Sequence, residues 1–168
     1  NNLDETLFAG RVSFLSERGL SFGLAGVSAG YSPSLARKDG EQYLNDPGGS
    51  HFTNMSVDVS YIRDAMAVFI EHARNPNGSR ATAGGIRIRE HGIGASVLGR
   101  EYTPRYWAPR SAGMSSFGNT ANEKGIYSAL KADLPYKIRA IITLDHARLL
   151  SRSFTHSMPI SRRRVGCV

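Results

Sequence analysis

The sequence predicts an α+β fold, with a mixed or antiparallel β-sheet and a few helices. Residues 85–97 alternate apolar and polar side chains on both sides of Gly92, which is typical of β-strands. Residues 59–73 carry apolar side chains three and four positions apart, which is typical of an amphipathic helix. Strands and helices do not alternate regularly along the chain, and this argues against a doubly wound parallel sheet.

The remaining elements follow from β-formers, glycines and turn residues. We expect strands at residues 6–12, 51–56, 85–91, 93–97, 125–130 and 137–144. We expect helices at residues 34–44 and 58–74, and irregular segments at residues 18–33 and 99–122. The second irregular segment is long for a compact domain, which indicates a functional or mobile loop.

The length of 168 residues suits a single domain, residues 1–168. The chain begins with Asn1 rather than Met, so we expect it to be trimmed from something longer. Its single cysteine, Cys167, excludes an internal disulfide and a cysteine-based zinc site. No apolar run approaches the roughly 20 residues that a spanning helix needs, so we expect no membrane span.

The chain is basic, with 21 Lys and Arg against 14 Asp and Glu and a formal charge of +7. Such a surface attracts phosphates, whether in a nucleotide, in nucleic acid or on a membrane. Arg162, Arg163 and Arg164 form a run near the C-terminus that predicts a solvated tail. The five histidines lack metal-ligand spacing, so we expect no metal. Phosphate-binding loops, dinucleotide-binding glycine motifs and nucleophile elbows are absent from the sequence.

Three segments, taken in order, resemble the arginine-specific mono-ADP-ribosyltransferases of bacterial toxins and type III secreted effectors. Residues 7–10 (Leu-Phe-Ala-Gly) are similar to the family's first strand, which normally ends in Arg-Gly. Residues 52–56 (Phe-Thr-Asn-Met-Ser) are similar to its Phe-x-Ser-x-Ser strand. Residues 116–117, 123–127 and 134–135 are similar to the Glu-x-Glu region near the family's C-terminus. The resemblance implies an ADP-ribosyltransferase-like fold with a split sheet.

The resemblance also implies a chemistry and a set of site residues. NAD would be the substrate, and its nicotinamide–ribose bond would break through an oxocarbenium-like state that a carboxylate stabilises. Glu123 would be that carboxylate and Ser56 would orient it, while Arg11 would hold the phosphates of NAD. The other expected cofactor-binding residues are Ala9, Gly10, Phe52, Asn54 and Trp107.

The sequence departs from the family pattern at each motif. Ala9 stands where the family has its arginine, and Asn54 replaces the first serine. If Glu123 matches the first glutamate of the family motif, Gly125 occupies the catalytic position. A shift by two residues makes Glu123 the catalytic residue, and the sequence does not choose between the two registers.

Each candidate residue also has a purely structural interpretation. Glu123 fits a solvated loop, Arg11 a surface strand, and Ser56 a helix N-cap. Arg87 and Arg89 fit an exposed sheet face, and Trp107 fits a loop anchored to the core.

Three functions follow as alternatives. The first is an NAD-dependent transferase that a bacterium secretes into the host cytosol, where it modifies a host protein. The second is a catalytically degenerate member of the same fold that binds a host protein. The third is a basic RNA-binding protein, which we favour least because no RNA-binding motif is present.

Overall fold

The computed structural model describes residues 3–35, 48–108, 113–117, 121–151 and 160–167. Within them the chain forms nine β-strands and one short 3-10 turn, Pro135–Lys137. The strands are β1 (Asp4–Leu15), β2 (Leu20–Leu35), β3 (Gly49–Arg63), β4 (Met66–Arg74), β5 (Arg80–Glu90), β6 (Ile93–Tyr102), β7 (Glu123–Asp133), β8 (Arg139–Leu149) and β9 (Ser161–Cys167).

All nine strands belong to one sheet, in the order in which they occur along the chain. Each strand pairs antiparallel with the strand before it, as in a continuous meander. The predicted α+β class is therefore wrong, because the described residues form an almost entirely antiparallel β-structure. The split sheet with helices that the family resemblance implied is corrected together with it.

The predicted helix at residues 58–74 is in fact the end of β3, a two-residue turn and all of β4. Arg63 pairs with Met66, so that residues 64 and 65 form the turn. The apolar residues that suggested one helical stripe divide between the two faces of the sheet: Val59, Met66 and Ile70 on one face, Ile62, Phe69 and Ala73 on the other. The turn shifts the phase of the two-residue alternation, and the combined spacing imitates a helix.

Other predicted boundaries also change. Residues 20–33 lie in β2 rather than in an irregular segment, and Ser56 lies inside β3 rather than at a helix N-cap. The predicted helix at residues 34–44 falls mostly outside the described residues, and its first two residues end β2. Residues 99–102 belong to β6, so the segment between β6 and β7 begins at residue 103. The C-terminal arginine run lies in β9 and is not a free tail.

The connections at the two ends of the strands differ in length. At one end, residues 16–19, 64–65, 91–92 and 134–138 connect successive strands. The 91–92 turn has positive φ at both positions, 47° at His91 and 80° at Gly92, as a two-residue hairpin with the twist of its strands requires. At the other end the connecting segments are residues 36–48, 75–79, 103–122 and 150–160.

The register assigns each side chain to one of two faces. We call the face that carries Phe8, Leu24, Val57 and Val97 the apolar face, since cross-strand partners share it from β1 to β9. The opposite side, which carries Glu123, is the polar face.

The buried cluster of the described residues lies on the polar face. Ala73, Ala81, Tyr102 and Tyr106 form it, with Ala108 packed against them. Tyr106 and Ala108 follow β6 in the chain, so residues 106–108 lie against the polar face of β4 to β6. Few large aliphatic side chains are buried here, which is unusual for the core of a water-soluble domain.

Candidate functional site

The apolar face exposes large hydrophobic side chains on all nine strands. Its exposed members are Phe8, Val12, Phe14, Phe22, Leu24, Met55, Val57, Val68, Ile70, Ile86, Ile88, Ile93, Val97, Ile126, Leu130, Ile142 and Val165. On the polar face, the exposed large hydrophobic side chains of the described strands are Leu7, Leu15, Ile62 and Phe69. An exposed apolar surface of this extent is typical of a site that contacts a protein or a membrane.

A charged network lies buried on the polar face. Glu123 is 0% exposed and Arg100 is 3% exposed. Arg100 Nε donates to Glu123 Oε1 at 2.5 Å, and Arg100 Nη2 donates to Asp145 Oδ1 at 2.8 Å. The three residues lie on β6, β7 and β8, so the pairing of these strands brings the charges together. We call Arg100, Ser116, Glu123 and Asp145 the Arg100 network.

The segment at residues 115–117 completes the coordination of Glu123. Ser115 Oγ donates to Oε2 at 2.6 Å, and the backbone N–H of Ser116 donates to both carboxylate oxygens at 3.0 and 3.1 Å. The backbone N–H of Phe117 adds a third donor group at 3.2 Å. The Ser116 hydroxyl accepts from Arg100 at 2.8 Å and donates to Asp145. Glu123 therefore holds this segment against the sheet.

The arginines of β9 bind the same segment from the other side. Arg162 Nη1 and Arg164 Nη2 both donate to the Ser116 carbonyl oxygen, at 2.8 and 2.7 Å. The Arg162 guanidinium also lies 4.9 Å from the centre of the Phe117 ring, in cation–π contact. Two residues of the expected solvated tail are thus structural.

Gly125 provides the room that the Arg100 guanidinium needs. It is the cross-strand partner of Arg100, and a Cβ at this position would lie 3.0 Å from Arg100 Cζ and 3.0 Å from Ala147 Cβ. One register of the family motif places residue 125 at the catalytic position. Packing explains why this residue is a glycine here, since a side chain would collide with Arg100 and Ala147.

The electrostatics of the network favour its charged form. Burial alone raises the pKa of Asp145, but the hydrogen bonds from Ser116 and Arg100 and the Arg100 charge outweigh it, so the pKa lies below its usual value. Burial likewise opposes the Arg100 charge, and the hydrogen bonds to Asp145 and Glu123 leave its pKa raised.

Several residues expected from the sequence to bind a cofactor do come together. Phe52 and Trp107 have ring centres 4.2 Å apart, and Tyr31 packs on both rings. Asn54 Nδ2 donates to the Trp107 carbonyl oxygen at 2.9 Å, and Asn75 Nδ2 donates to the same atom at 2.8 Å. These contacts anchor the segment between β6 and β7, as the structural interpretation of Trp107 predicted.

Five of the residues that the resemblance predicts for the site line a cavity of about 700 Å³. Ala9, Gly10, Arg11, Asn54 and Ser56 line it, and Arg11 forms a 2.8 Å ion pair with Asp58 on β3. Glu123 does not line this cavity; it lies on β7, four strands from β3 in the sheet. The structure therefore does not bring the expected catalytic carboxylate to the expected phosphate clamp.

Sequence reasoning singled out Glu123 but missed its partners Arg100 and Asp145, and it named Ser116 only as part of the segment that resembles the Glu-x-Glu region. Arg100 lies 23 positions from Glu123 and 45 from Asp145 in the sequence, and no local motif links them. The available signal was the two-residue alternation, which places Arg100 and Glu123 on the face opposite the apolar side chains of β6 and β7.

Within the described ranges, no group of three metal-ligand side chains is close enough to hold an ion. The same residues contain no helix of the length and hydrophobicity that crossing a membrane would require. Comparisons with protein-family models, with curated proteins and with solved structures found no match.

We predict strong coupling between Arg100 and Glu123. Arg100→Met leaves the buried Glu123 carboxylate without its cation, at a cost of about 3–5 kcal/mol in the free energy of unfolding, while Glu123→Met leaves the Arg100 guanidinium paired with Asp145 and is expected to cost less. The double variant is expected to cost clearly less than the sum of the two, as measured by denaturant titration. The exposed pair Lys124–Glu101, at 2.8 Å, is the control and should couple by less than about 1 kcal/mol. Additive losses at Arg100 and Glu123 would contradict the network.

We also predict a loss of stability in acid. The pKa of Asp145 is depressed in the folded state, so its stabilising contribution is present above the unfolded value, about 3.9. It disappears as the pH falls through the folded value. Asp145→Asn should be less stable than the parent at pH 7 and should lose less further stability between pH 5 and pH 2. Thermal unfolding across this range measures both effects, and unchanged pH dependence in Asp145→Asn would contradict the assignment.

Proposed function

We propose that this domain is a membrane-embedded β-sheet whose apolar face lies against lipid hydrocarbon. The proposal rests on the difference in burial between the two faces of the sheet. Apolar side chains point outward from every strand, while the Arg100 network is buried on the other side. In water the burial would be reversed, because apolar side chains form the interior and charged ones the surface. A hydrocarbon environment accounts for both faces together.

The dimensions of the strands support the same conclusion. Strands that cross a bilayer at a tilt need about 9–11 residues, and β4 to β8 have 9, 11, 10, 11 and 11. On β3 the apolar side chains run from Met55 to Tyr61, or about 20 Å at the usual rise per residue. This is of the same order as the apolar band, about 25 Å high, of lipid-embedded sheets.

The uniformity of the apolar face favours lipid over a protein partner. A partner protein usually contacts a patch of limited extent, whereas this surface continues across all nine strands, from Phe8 on β1 to Val165 on β9. In hydrocarbon the outer backbone edges of β1 and β9 also need hydrogen-bond partners, so the proposal requires another strand to pair with each.

Adjacent residues provide matched positions for the test. In a Cys167→Ser background, Val57→Cys and Val97→Cys place a fluorophore on the apolar face, while Ser56→Cys and Ser96→Cys place it on the polar face of the same strands. After folding into phosphatidylcholine vesicles, lipids that carry a nitroxide on the acyl chain are expected to quench positions 57 and 97 severalfold more than positions 56 and 96. Equal quenching in the two sets would contradict the proposal. A discrete lipid-free oligomer that shields positions 57 and 97 would assign the face to protein.

The NAD-dependent transferase remains a second candidate. The clustering of Ala9, Gly10, Arg11, Asn54 and Ser56 around one cavity favours it. The complete burial of Glu123 weakens it, since all the contacts of its carboxylate are with the protein and it does not line the cavity. A host-protein target and delivery into the host cytosol rest on the sequence resemblance alone.

Calorimetry separates the two candidates. We expect no saturable heat when NAD is titrated into the folded protein, because the cavity and Glu123 are apart. Binding that Arg11→Ala weakens at least tenfold, with Arg87→Ala on the far end of the polar face as the charge control, would restore the transferase hypothesis.

A further inference from the structure

One border of the apolar face carries a row of cations. Arg74, Arg80, Lys124 and Arg148 occupy its last positions, at the end of the sheet where the connecting segments are long, and Arg163 lies one position further in on the same face of β9. We call these five residues the basic border. The opposite border of the same face ends in Arg63 on β3 and Glu90 on β5, whose charges balance. The apolar face is therefore electrically asymmetric.

The basic border contains like charges placed directly opposite each other. Arg74 is the cross-strand partner of Arg80, and Lys124 is the cross-strand partner of Arg148. Directly opposed like charges destabilise a sheet. In the described part of this border the acidic side chains are Asp4, at the start of β1, and Glu101, which accepts a hydrogen bond from Lys124 Nζ at 2.8 Å. Two carboxylates against five cations leave an excess that an external anion would neutralise.

The carboxyl group of Glu101 responds to these neighbouring positive charges. Its pKa is lowered, first by the hydrogen bond from Lys124 and further by the charges of Lys124, Arg80 and Arg148. Four side chains from β5, β6, β7 and β8 therefore share one electrostatic environment, although they are up to 68 residues apart in sequence, from Arg80 to Arg148.

A groove at this border combines apolar and cationic walls. It has a volume of about 650 Å³, and Ile126, Arg80, Lys124 and Arg148 are among the residues that line it. His72 and His146 add two further nitrogen-bearing side chains to its wall, and His72 Nδ1 lies 2.8 Å from Thr82 Oγ1. Apolar atoms at the sheet side and cations at the rim match a molecule with an acyl chain and a phosphate.

We propose that the basic border binds the phosphate of an anionic lipid headgroup. The inference rests on the proposed function, because it places the border at the level where hydrocarbon meets headgroups. The acyl chains then continue along the apolar face below Ile126, and the phosphate oxygens accept hydrogen bonds from Arg80, Lys124 and Arg148. A lipid phosphate there replaces repulsion between opposed cations by attraction to a shared anion.

The test compares two triple variants of equal charge in two kinds of vesicle. Arg80→Gln/Lys124→Gln/Arg148→Gln removes three cations of the border, and Arg87→Gln/Arg89→Gln/Arg139→Gln removes three from the polar face near the other end. Partitioning into phosphatidylcholine vesicles is measured with and without phosphatidylglycerol, at low salt. Phosphatidylglycerol should strengthen binding of the parent and of the polar-face variant. The border variant should lose about 5-fold of this gain per cation, or about 100-fold in total.

The melting temperature provides a second test, because removing the border cations is expected to weaken lipid binding without destabilising the protein in neutral lipid. In vesicles of phosphatidylcholine alone, the border variant should melt at or above the temperature of the parent, because opposed cations have been removed. In phosphatidylglycerol vesicles the parent should melt higher. A border variant that is less stable in both lipids would indicate an ordinary structural role and overturn the proposal.

Three further outcomes distinguish a failure of the headgroup site from a failure of the proposed function and from binding of free phosphate. If nitroxide lipids quench position 97 but phosphatidylglycerol has no effect, the headgroup site is overturned and the lipid-facing surface stands. If position 97 is not quenched in either vesicle, the proposed function itself fails. If inorganic phosphate in neutral detergent micelles raises the melting temperature as much as phosphatidylglycerol does in vesicles, the border binds free phosphate and the lipid source is overturned.

Discussion

The burial of the Arg100 charge is the constraint on which the polar side of this molecule depends. A guanidinium removed from water needs carboxylates and hydrogen-bond acceptors close by. Glu123 and Asp145 supply them only when β6, β7 and β8 pair in the observed register. Glu123 in turn fixes residues 115–117 by accepting from a hydroxyl and two backbone amides. A shift of one residue in any of these strands would turn these groups to the apolar face.

The same constraint determines what the other face must do. Because the side chains of a strand alternate, each polar residue used in the network leaves its sequence neighbours on the opposite surface. The nearest of these neighbours include Glu101, Lys124 and His146, but further along each strand the same surface is apolar, as at Val97, Ile126 and Ile142. The buried cluster around Tyr102 does not use those apolar side chains. The sheet itself therefore leaves these side chains exposed, and the proposed lipid contact would remove them from water.

Sequence reasoning identified most strands but misjudged their context. The alternation at residues 85–97 was correct because Gly92 marks the turn between its two strands, so that the alternation of each strand could be read separately. The helix at residues 58–74 was wrong because a two-residue turn inside the segment produced a spacing close to 3.6. Glu123 attracted attention because its segment resembles the Glu-x-Glu region of the family, whereas Arg100 and Asp145 carry no local signal. Their proximity exists only once three strands are paired.

The expectation that no membrane span is present used a criterion suited to helices. A helix in lipid surrounds its backbone with side chains on all sides, so nearly all of its residues must be apolar. A strand presents only every second residue to lipid, and the polar residues at the intervening positions lower the mean hydropathy of the strand. The mean hydropathy of −0.29 therefore averages the values of an apolar face and a polar face, and it reveals neither of them. The informative quantity is the phase of the alternation, which keeps the same face apolar through nine successive strands. That regularity follows from the register, so it became visible only with the fold.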